Sequence, residues 1–137
     1  MTDEHLPEED LDLLAEARRN AARSVAPPGE QAGAVVVCED GRHFAGAAMV
    51  LRVPGLSVCA EQVALSAARA ATEAPVAAIA LWIPEAAPEH PCGKCLQVWK
   101  ELAPQARFVF QRGDRPPRLL DLEALLPDAF EHFEPRR

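Results

Sequence analysis

Two cysteines three residues apart, Cys92 and Cys95, stand in the segment PCGKC. The proline before them suits the first turn of a helix, where residues i and i+3 share one face. The exposed N–H groups and the dipole of a helix start favour the thiolate, which is the form of cysteine that binds metals. The pair therefore supplies half of a tetrahedral zinc site.

Cys59 is predicted to lie in the opening turn of an earlier helix, with Ser57 as the N-cap. If the two helix starts meet, three thiolates converge on one ion and a fourth position stays open for water. Three protein ligands plus water is the pattern of a catalytic zinc rather than a structural one. In a reducing compartment, closely spaced thiols are more often ligands than disulfide partners.

Glu61 lies two residues beyond Cys59. A carboxylate beside a metal-bound water can take its proton and pass it to a ring nitrogen or a leaving amine. A Cys-x-Glu or His-x-Glu segment followed by Pro-Cys-x-x-Cys is the signature of zinc-dependent nucleobase deaminases. The segments CAE at 59–61 and PCGKC at 91–95 match both halves, so Glu61 is the candidate catalytic residue.

Each of these four residues also has an ordinary interpretation. Cys59, Cys92 and Cys95 would pack as small buried hydrophobes, and Glu61 would be a solvated residue of a helix. Two spacings that match one signature favour the metal site over these roles.

The other residues whose side chains could take part in chemistry are predicted to have structural roles. Cys38 ends the apolar segment VVVC and is expected in the core, as are Trp82 and Trp99. A stacking contact of Trp99 with a substrate is the less favoured alternative. His90 is expected to serve a loop or cap rather than the metal, and His132 to lie in solvent.

Length and composition indicate one domain over residues 1–137. The chain is 49% hydrophobic, which is enough to fill a single core of this size. It has no apolar run of 18 residues, and its first 16 residues carry seven acids and no Lys or Arg, unlike a signal peptide. We therefore expect a cytoplasmic protein without membrane association.

The formal net charge of −7 comes from this acidic beginning, because the rest of the chain has equal numbers of acidic and basic residues. A near-neutral body has no basic face with which to bind the phosphates of a nucleic acid. The expected partner is therefore a small molecule, such as an aminated pyrimidine or nucleoside, and not polymeric DNA or RNA.

Hydrophobic patterning predicts an alternation of helices and strands. The first helix has apolar residues Leu11, Leu14 and Ala17 or Ala21 at helical spacing. The expected order is a helix over 8–24, two strands around an Asp40–Gly41 turn, a helix in 56–74, a strand at 76–83, a helix at 92–103, a strand at 107–110 and a loop at 112–118. A final short helix in 121–130 is expected to end at Pro127. This order predicts a three-layer α/β fold with parallel pairing across strand-helix-strand connections.

At these residues the chain resembles the cytidine deaminase family, in the three-cysteine zinc form that includes the blasticidin S deaminases. The segment PCGKCLQV resembles the family's P-C-G-x-C-R-Q-V, and LLPDAF at 125–130 resembles its L-L-P-x-A-F. The resemblance implies a cytidine deaminase-like α/β/α fold with a mixed five-stranded sheet, and a bound Zn²⁺. It also implies a homotetramer, or a homodimer, with Phe130 near a neighbouring active site.

The residues at the family's substrate-binding positions differ from the family pattern. Family members bind the ribose hydroxyls with an Asn and a Glu two residues apart, and Ala48 and Val50 stand in those places here. Neither side chain can form a hydrogen bond with a hydroxyl group. Glu30 lies near the position of a family aromatic residue. These departures leave the substrate open.

A second departure concerns charge. Three thiolates around Zn²⁺ leave one negative charge, which the family usually offsets with an Arg after the catalytic Glu and another after the last Cys. Gln62 and Leu96 occupy those places. The helix dipoles and Lys94 are the remaining candidates for compensation.

The sequence thus predicts a zinc-dependent hydrolytic deaminase that removes the exocyclic amine of cytidine, deoxycytidine or a related aminated pyrimidine, with a role in pyrimidine salvage. One alternative is a deaminase of a different aminated heterocycle or of a nucleoside antibiotic. Another is a non-catalytic protein that keeps the zinc site for assembly. Glu61 favours an enzyme, whereas Gln62 and Leu96 favour the non-catalytic alternative.

Overall fold

The computed structural model describes residues 5–87 and 91–130, so His90 and His132 lie outside the described residues. The α-helices are α1 (Glu8–Asn20), α2 (Ala60–Ala71), α3 (Gly93–Leu102) and α4 (Leu122–Leu125), and short 3₁₀ turns cover Ala21–Arg23 and Pro54–Leu56. The strands are β1 (Gly33–Cys38), β2 (His43–Ala47), β3 (Val76–Ile83), β4 (Arg107–Arg112) and β5 (Arg118–Leu119).

The five strands form one mixed sheet in the order β2-β1-β3-β4-β5, as the resemblance implied. A tight turn at Asp40–Gly41 joins β1 to β2, with Gly41 at a φ of 87° and its N–H bonded to the Cys38 carbonyl at 2.9 Å. Among the five described strands, β3 and β4 pair in parallel and are connected through α3, whereas the other neighbouring strands pair antiparallel. The connection through α2 gives no parallel pair, because β1 lies between β2 and β3.

The sheet carries helices on both faces. Alternate residues of β1 point to opposite sides, as a strand requires. Ala34 and Val36 pack in the core that α2 and α3 cover, while Val35 packs in a second core with Leu14 and Ala17 of α1. Cys38 is buried in the first core, as expected. The fold is therefore the predicted three-layer α/β arrangement.

The buried face of α1 differs from the prediction in one respect. Leu14 and Ala17 are buried, but Leu11 is 43% exposed. Two polar residues occupy the buried stripe: Asp10 pairs with Arg107, and Asn20 donates a hydrogen bond to the Ala34 carbonyl at 2.9 Å. Polar partners on the sheet make this orientation of the helix favourable, and apolar spacing alone does not reveal them.

The end of the described chain also differs from the prediction. The segment 112–118 was expected to be a loop, but its last residue, Arg118, begins β5 and pairs with Phe110. The final helix is the predicted short one: a single turn that ends at Leu125, before Pro127. Asp121 caps it by accepting a hydrogen bond from the Glu123 N–H at 3.1 Å. Within residues 5–87 and 91–130, no helix combines the length and the apolar character needed to cross a membrane.

Gly46 in β2 allows α2 to lie close to the sheet. A Cβ atom at this position would overlap the Ala60 carbonyl oxygen and would lie 2.8 Å from the Ala64 nitrogen. Both atoms belong to the helix backbone, which cannot move aside as a flexible side chain can. The absence of a side chain at Gly46 therefore sets the position of the helix that carries Glu61.

We expect Gly46→Ala to lower the free energy of unfolding by about 1–3 kcal/mol, the usual cost of forcing extra volume into a packed interior. Gly55→Ala is the matched control, because a Cβ atom at Gly55 meets no atom within 4 Å. It should change the stability by less than about 0.5 kcal/mol. Urea unfolding of both variants measures the difference, and equal stabilities would contradict the close approach of α2.

Candidate metal centre

The starts of α2 and α3 bring the three predicted cysteine ligands together. Cys59 is the N-cap of α2, Cys92 is the N-cap of α3, and Cys95 lies in the first turn of α3. Their three sulfur atoms all lie within 4.8 Å of one another. The expected meeting of the two helix starts is therefore confirmed, although Cys59 and Cys92 are 33 residues apart.

Two details of the helix starts differ from the prediction. Cys59, and not Ser57, is the N-cap of α2, and the Ser57 hydroxyl instead accepts a hydrogen bond from the Leu51 N–H at 2.9 Å. Pro91 precedes the N-cap of α3 rather than occupying its first position. Neither Cys59 nor Cys92 uses its side chain to cap the helix, so both sulfurs remain available for a metal.

The cluster has the dimensions of a tetrahedral zinc site. The sulfurs of Cys59 and Cys92 are 3.8 Å apart. Zinc–sulfur bonds of about 2.3 Å at tetrahedral angles place two sulfurs about 3.8 Å apart. Three thiols in this arrangement, with Cys95 as the third, fit Zn²⁺ in both donor type and spacing.

The thiols are close enough to change one another's pKa. The hydrogen bond with Cys95 is the main cause that lowers the pKa of Cys59 to about 6. The same hydrogen bond, together with burial, raises the pKa of Cys95. The lowered pKa of Cys59 favours its thiolate, which is the form of cysteine that binds a metal.

Glu61 lies in the first turn of α2 and is only 3% exposed. Burial, and then the negative charge of Cys59, raises the pKa of this carboxyl to about 7. A group that titrates near neutral pH can both accept and donate a proton under working conditions. The position of Glu61 beside the cysteines therefore fits the predicted role of proton carrier.

A cavity of about 540 Å³ opens at the cluster, and Cys59, Glu61 and Cys92 line it. Ala48 and Val50 also line this cavity, so the two departures from the family's ribose-binding pair lie in its wall. Sequence reasoning did not identify several further lining residues, because apolar loop residues carry no chemical signature. These are Met49, Val58, Pro84, Ala86 and Ala87.

Lys94 is the cationic side chain in the described wall of the cavity. After the larger effects named above, its charge lowers the pKa of Cys59 and opposes the rise at Glu61. Leu96 is buried in the core at 3% exposure, and the Gln62 side-chain oxygen is buried without a partner in the described chain. Lys94 and the helix starts are thus the compensating groups that the site offers.

Phe130 does not line this cavity. It is 78% exposed, and its backbone N–H donates to the Gln97 side chain at 3.4 Å. Trp99 is buried against Phe108, with ring centroids 4.8 Å apart, so its expected core position is confirmed. Trp82 donates its indole N–H to the Gly113 carbonyl at 3.0 Å and packs against the second core.

The chain is similar to cytidine deaminases throughout most of its length. Residues 7–111 match the family model described as the cytidine and deoxycytidylate deaminase zinc-binding region. A cytidine deaminase of Halalkalibacterium halodurans is 36% identical over 103 residues, which cover 73% of this chain and 76% of that protein.

Solved structures show the same similarity. The cytidine deaminase of Burkholderia pseudomallei superposes with a TM-score of 0.80 at 35% identity, over 88% of this chain and 98% of that one. The cytidine deaminase of Mycobacterium tuberculosis gives a TM-score of 0.69 at 30% identity, over 88% of this chain and 96% of that one.

We expect the four thiols to differ in reactivity once metal has been removed by a chelator. Cys92 is exposed and Cys59 is half-buried, whereas Cys38 and Cys95 are each 1% exposed. A thiol reagent needs access to the sulfur, so Cys59 and Cys92 should react rapidly and the other two slowly. Titration with a chromogenic disulfide, before and after denaturation, measures this. Four equally fast thiols in the folded protein would contradict the arrangement.

Proposed function

Because this chain belongs to the cytidine and deoxycytidylate deaminase family, whose members are zinc-dependent hydrolases, we propose that it removes the exocyclic amine of cytidine, deoxycytidine or a related aminated pyrimidine, releasing ammonia. The observation that carries the proposal is the convergence of Cys59, Cys92 and Cys95 beside the buried Glu61. The cavity at this cluster is of a size to admit a small ring.

In the proposed mechanism, Cys59, Cys92 and Cys95 hold Zn²⁺ as thiolates. Bound zinc would lower the pKa of a coordinated water and so supply a nucleophile at neutral pH. Glu61 accepts the proton of the attacking water at a carboxylate oxygen and delivers it to the pyrimidine ring nitrogen. It then moves a second proton to the amine, which leaves as ammonia while the ring keeps a carbonyl group.

The burial of Glu61 favours this enzyme over a non-catalytic zinc protein. Burying a carboxyl group to 3% exposure removes it from water, which is costly for a fold to maintain. A metal site that served assembly alone would gain nothing from that cost. The raised pKa, to about 7, which results from the burial, is what a proton carrier needs.

We further propose that the chain acts as a homotetramer or homodimer in the cytoplasm, in pyrimidine salvage. Val53, Leu56 and Phe130 are 58%, 60% and 78% exposed, respectively. Large exposed apolar side chains of this kind suit contacts with a second copy of the chain. In such an assembly, Phe130 would lie near a neighbouring active site. The four free thiols fit a reducing compartment.

Zinc content tests the ligand assignment. We expect one zinc per chain in protein purified without chelators, because three thiolates and one open position complete a tetrahedron. Cys92→Ala should lose the metal, whereas Cys38→Ala should keep it, since Cys38 lies in the core away from the cluster. Elemental analysis measures both variants. Full zinc retention in Cys92→Ala would remove this residue from the ligand set.

Ammonia release tests the reaction. Zinc-loaded protein should release ammonia from at least one of cytosine, cytidine, deoxycytidine, aminated purines and nucleoside antibiotics. Glu61→Gln keeps the shape of the side chain but removes the proton carrier, so the rate should fall by roughly 10²- to 10⁴-fold. Glu73→Gln changes an exposed residue after α2 and is the control. An unchanged rate in Glu61→Gln with zinc still bound would show that Glu61 does not carry the proton.

A further inference from the structure

A carboxylate that the proposed chemistry does not use stands in the wall of the cavity. Glu30 lines the cavity at the end of a tight turn, in which its N–H bonds to the Pro27 carbonyl at 3.1 Å. Gly29 has a φ of 87°, and together with Pro28 it forms the central pair of a type II-like turn. Pro28 fixes its own φ, and Gly29 tolerates the positive φ that the turn requires, so the turn defines where the backbone of Glu30 lies.

The loop that carries Glu30 is fixed to the segment that carries Ala48 and Val50. The Ala48 N–H bonds to the Ala32 carbonyl at 3.0 Å, and the Ala48 carbonyl accepts from the Val25 N–H at 2.9 Å. The Val50 N–H then bonds to the Val25 carbonyl at 2.7 Å. This ladder places the Glu30 loop beside Ala48 and Val50, so the three residues form one part of the cavity wall.

This part of the wall offers little to a neutral hydroxyl group. Ala48 and Val50 have no polar side-chain atoms, and the nearby Ser57 hydroxyl is already bonded to the Leu51 backbone. A sugar hydroxyl that loses water against apolar groups and finds no partner is destabilised. Glu30 is therefore the side chain that can provide strong polar recognition in this region.

The charges of the cavity are unevenly distributed. Lys94 lies close enough to Cys59 and Glu61 to affect their pKa, and three thiolates around a divalent ion leave one negative charge for it to offset. Glu30 has no ion-pair partner in the described chain, and the protein as a whole carries a net charge of −7. A cationic group beside Glu30 would be attracted, and a phosphate would be repelled.

We propose that Glu30 makes this site selective for aminated pyrimidines whose ring-nitrogen substituent carries an amine or guanidinium group, and that it disfavours nucleotides. The inference rests on the proposed deamination at the same site. The pyrimidine amine lies at the cysteine cluster, and the substituent lies against Ala48, Val50 and Glu30. The apolar wall receives the body of the substituent, and the carboxylate of Glu30 pairs with its cation.

Three substrates that share the cytosine ring test this selectivity. These are cytidine, 5′-amino-5′-deoxycytidine, whose aliphatic amine is protonated at neutral pH, and cytidine 5′-monophosphate. We expect kcat/KM for the amino analogue to exceed that for cytidine by about twofold to fivefold at low ionic strength, as a partly exposed ion pair permits. The monophosphate should be the poorest of the three. The preference should shrink as salt is added, because salt screens exposed charges.

Three variants assign the effect to Glu30. Glu30→Gln should remove the preference, so that the ratio of kcat/KM for the amino analogue to kcat/KM for cytidine falls to about one. Glu30→Lys should reverse it in favour of the monophosphate. Glu39→Gln removes the same charge from an exposed residue just beyond β1, outside the cavity, and should leave the preference intact. Absence of the preference in the unaltered protein, or its persistence in Glu30→Gln, would overturn the proposal.

Binding of unreactive compounds separates this inference from the proposed reaction. Uridine and 5′-amino-5′-deoxyuridine lack the pyrimidine amine, so calorimetry measures their affinity whether or not the protein deaminates anything. The amino compound should bind about twofold to fivefold more tightly, and Glu30→Gln should remove the difference. Deamination without this difference would overturn the role of Glu30 alone. The difference without deamination of any substrate would support Glu30 and overturn the proposed function.

Discussion

The close approach of α2 to the sheet determines most of what this structure can do. Gly46 has no side chain, so the backbone of α2 at Ala60 and Ala64 lies directly on β2. The small residues on the buried face of the helix, Ala60, Ala64 and Ala68, allow the same closeness along its length. The helix start is thereby held where α3 also begins, and the sulfurs of the two helices come together. A bulkier interface would separate the ligands, even with every cysteine in place.

The site balances negative charge in a small volume. Three thiols and the buried carboxyl of Glu61 all favour a cation, and the two helix starts add the partial positive charge of their free N–H groups. Lys94 adds a full charge at the edge of the cavity. Leu96 cannot contribute, because it belongs to the core beneath α3. The chain therefore offsets its thiolates with backbone dipoles and one lysine.

The two sides of the cavity have different relations to the family. The metal side has the three cysteines and the glutamate of the deaminase signature. Ala48, Val50 and Glu30 line another part of the wall, to which we assign recognition of the substituent. These residues lie on loops that pair with one another, outside the helices that hold the sulfurs. Because the two sides belong to different elements, the substituent side can change while the metal side stays intact.

Local spacing in the sequence determined the chemistry of this protein. It placed Cys92 and Cys95 on one face of a helix start and Glu61 two residues beyond Cys59, and apolar patterning indicated the order of the helices and the main strands. These features depend on neighbours within a few residues, which the sequence shows directly. The pairing of Asp10 with Arg107, which adds a charged residue to the buried face of α1, depends on residues 97 positions apart.

Only the tertiary structure decided whether the two helix starts meet, which residue caps each helix, and what lines the cavity. The meeting depends on the single parallel pair of β3 and β4 and on the packing of α2 against Gly46. Cys59, and not the predicted Ser57, is the N-cap of α2, because the Ser57 hydroxyl accepts a hydrogen bond from the Leu51 N–H. Glu30 lines the cavity because backbone hydrogen bonds to Ala48 hold its loop there. Each of these contacts joins segments that are brought together by the packing of the whole fold. Residue spacing in the sequence therefore cannot predict them.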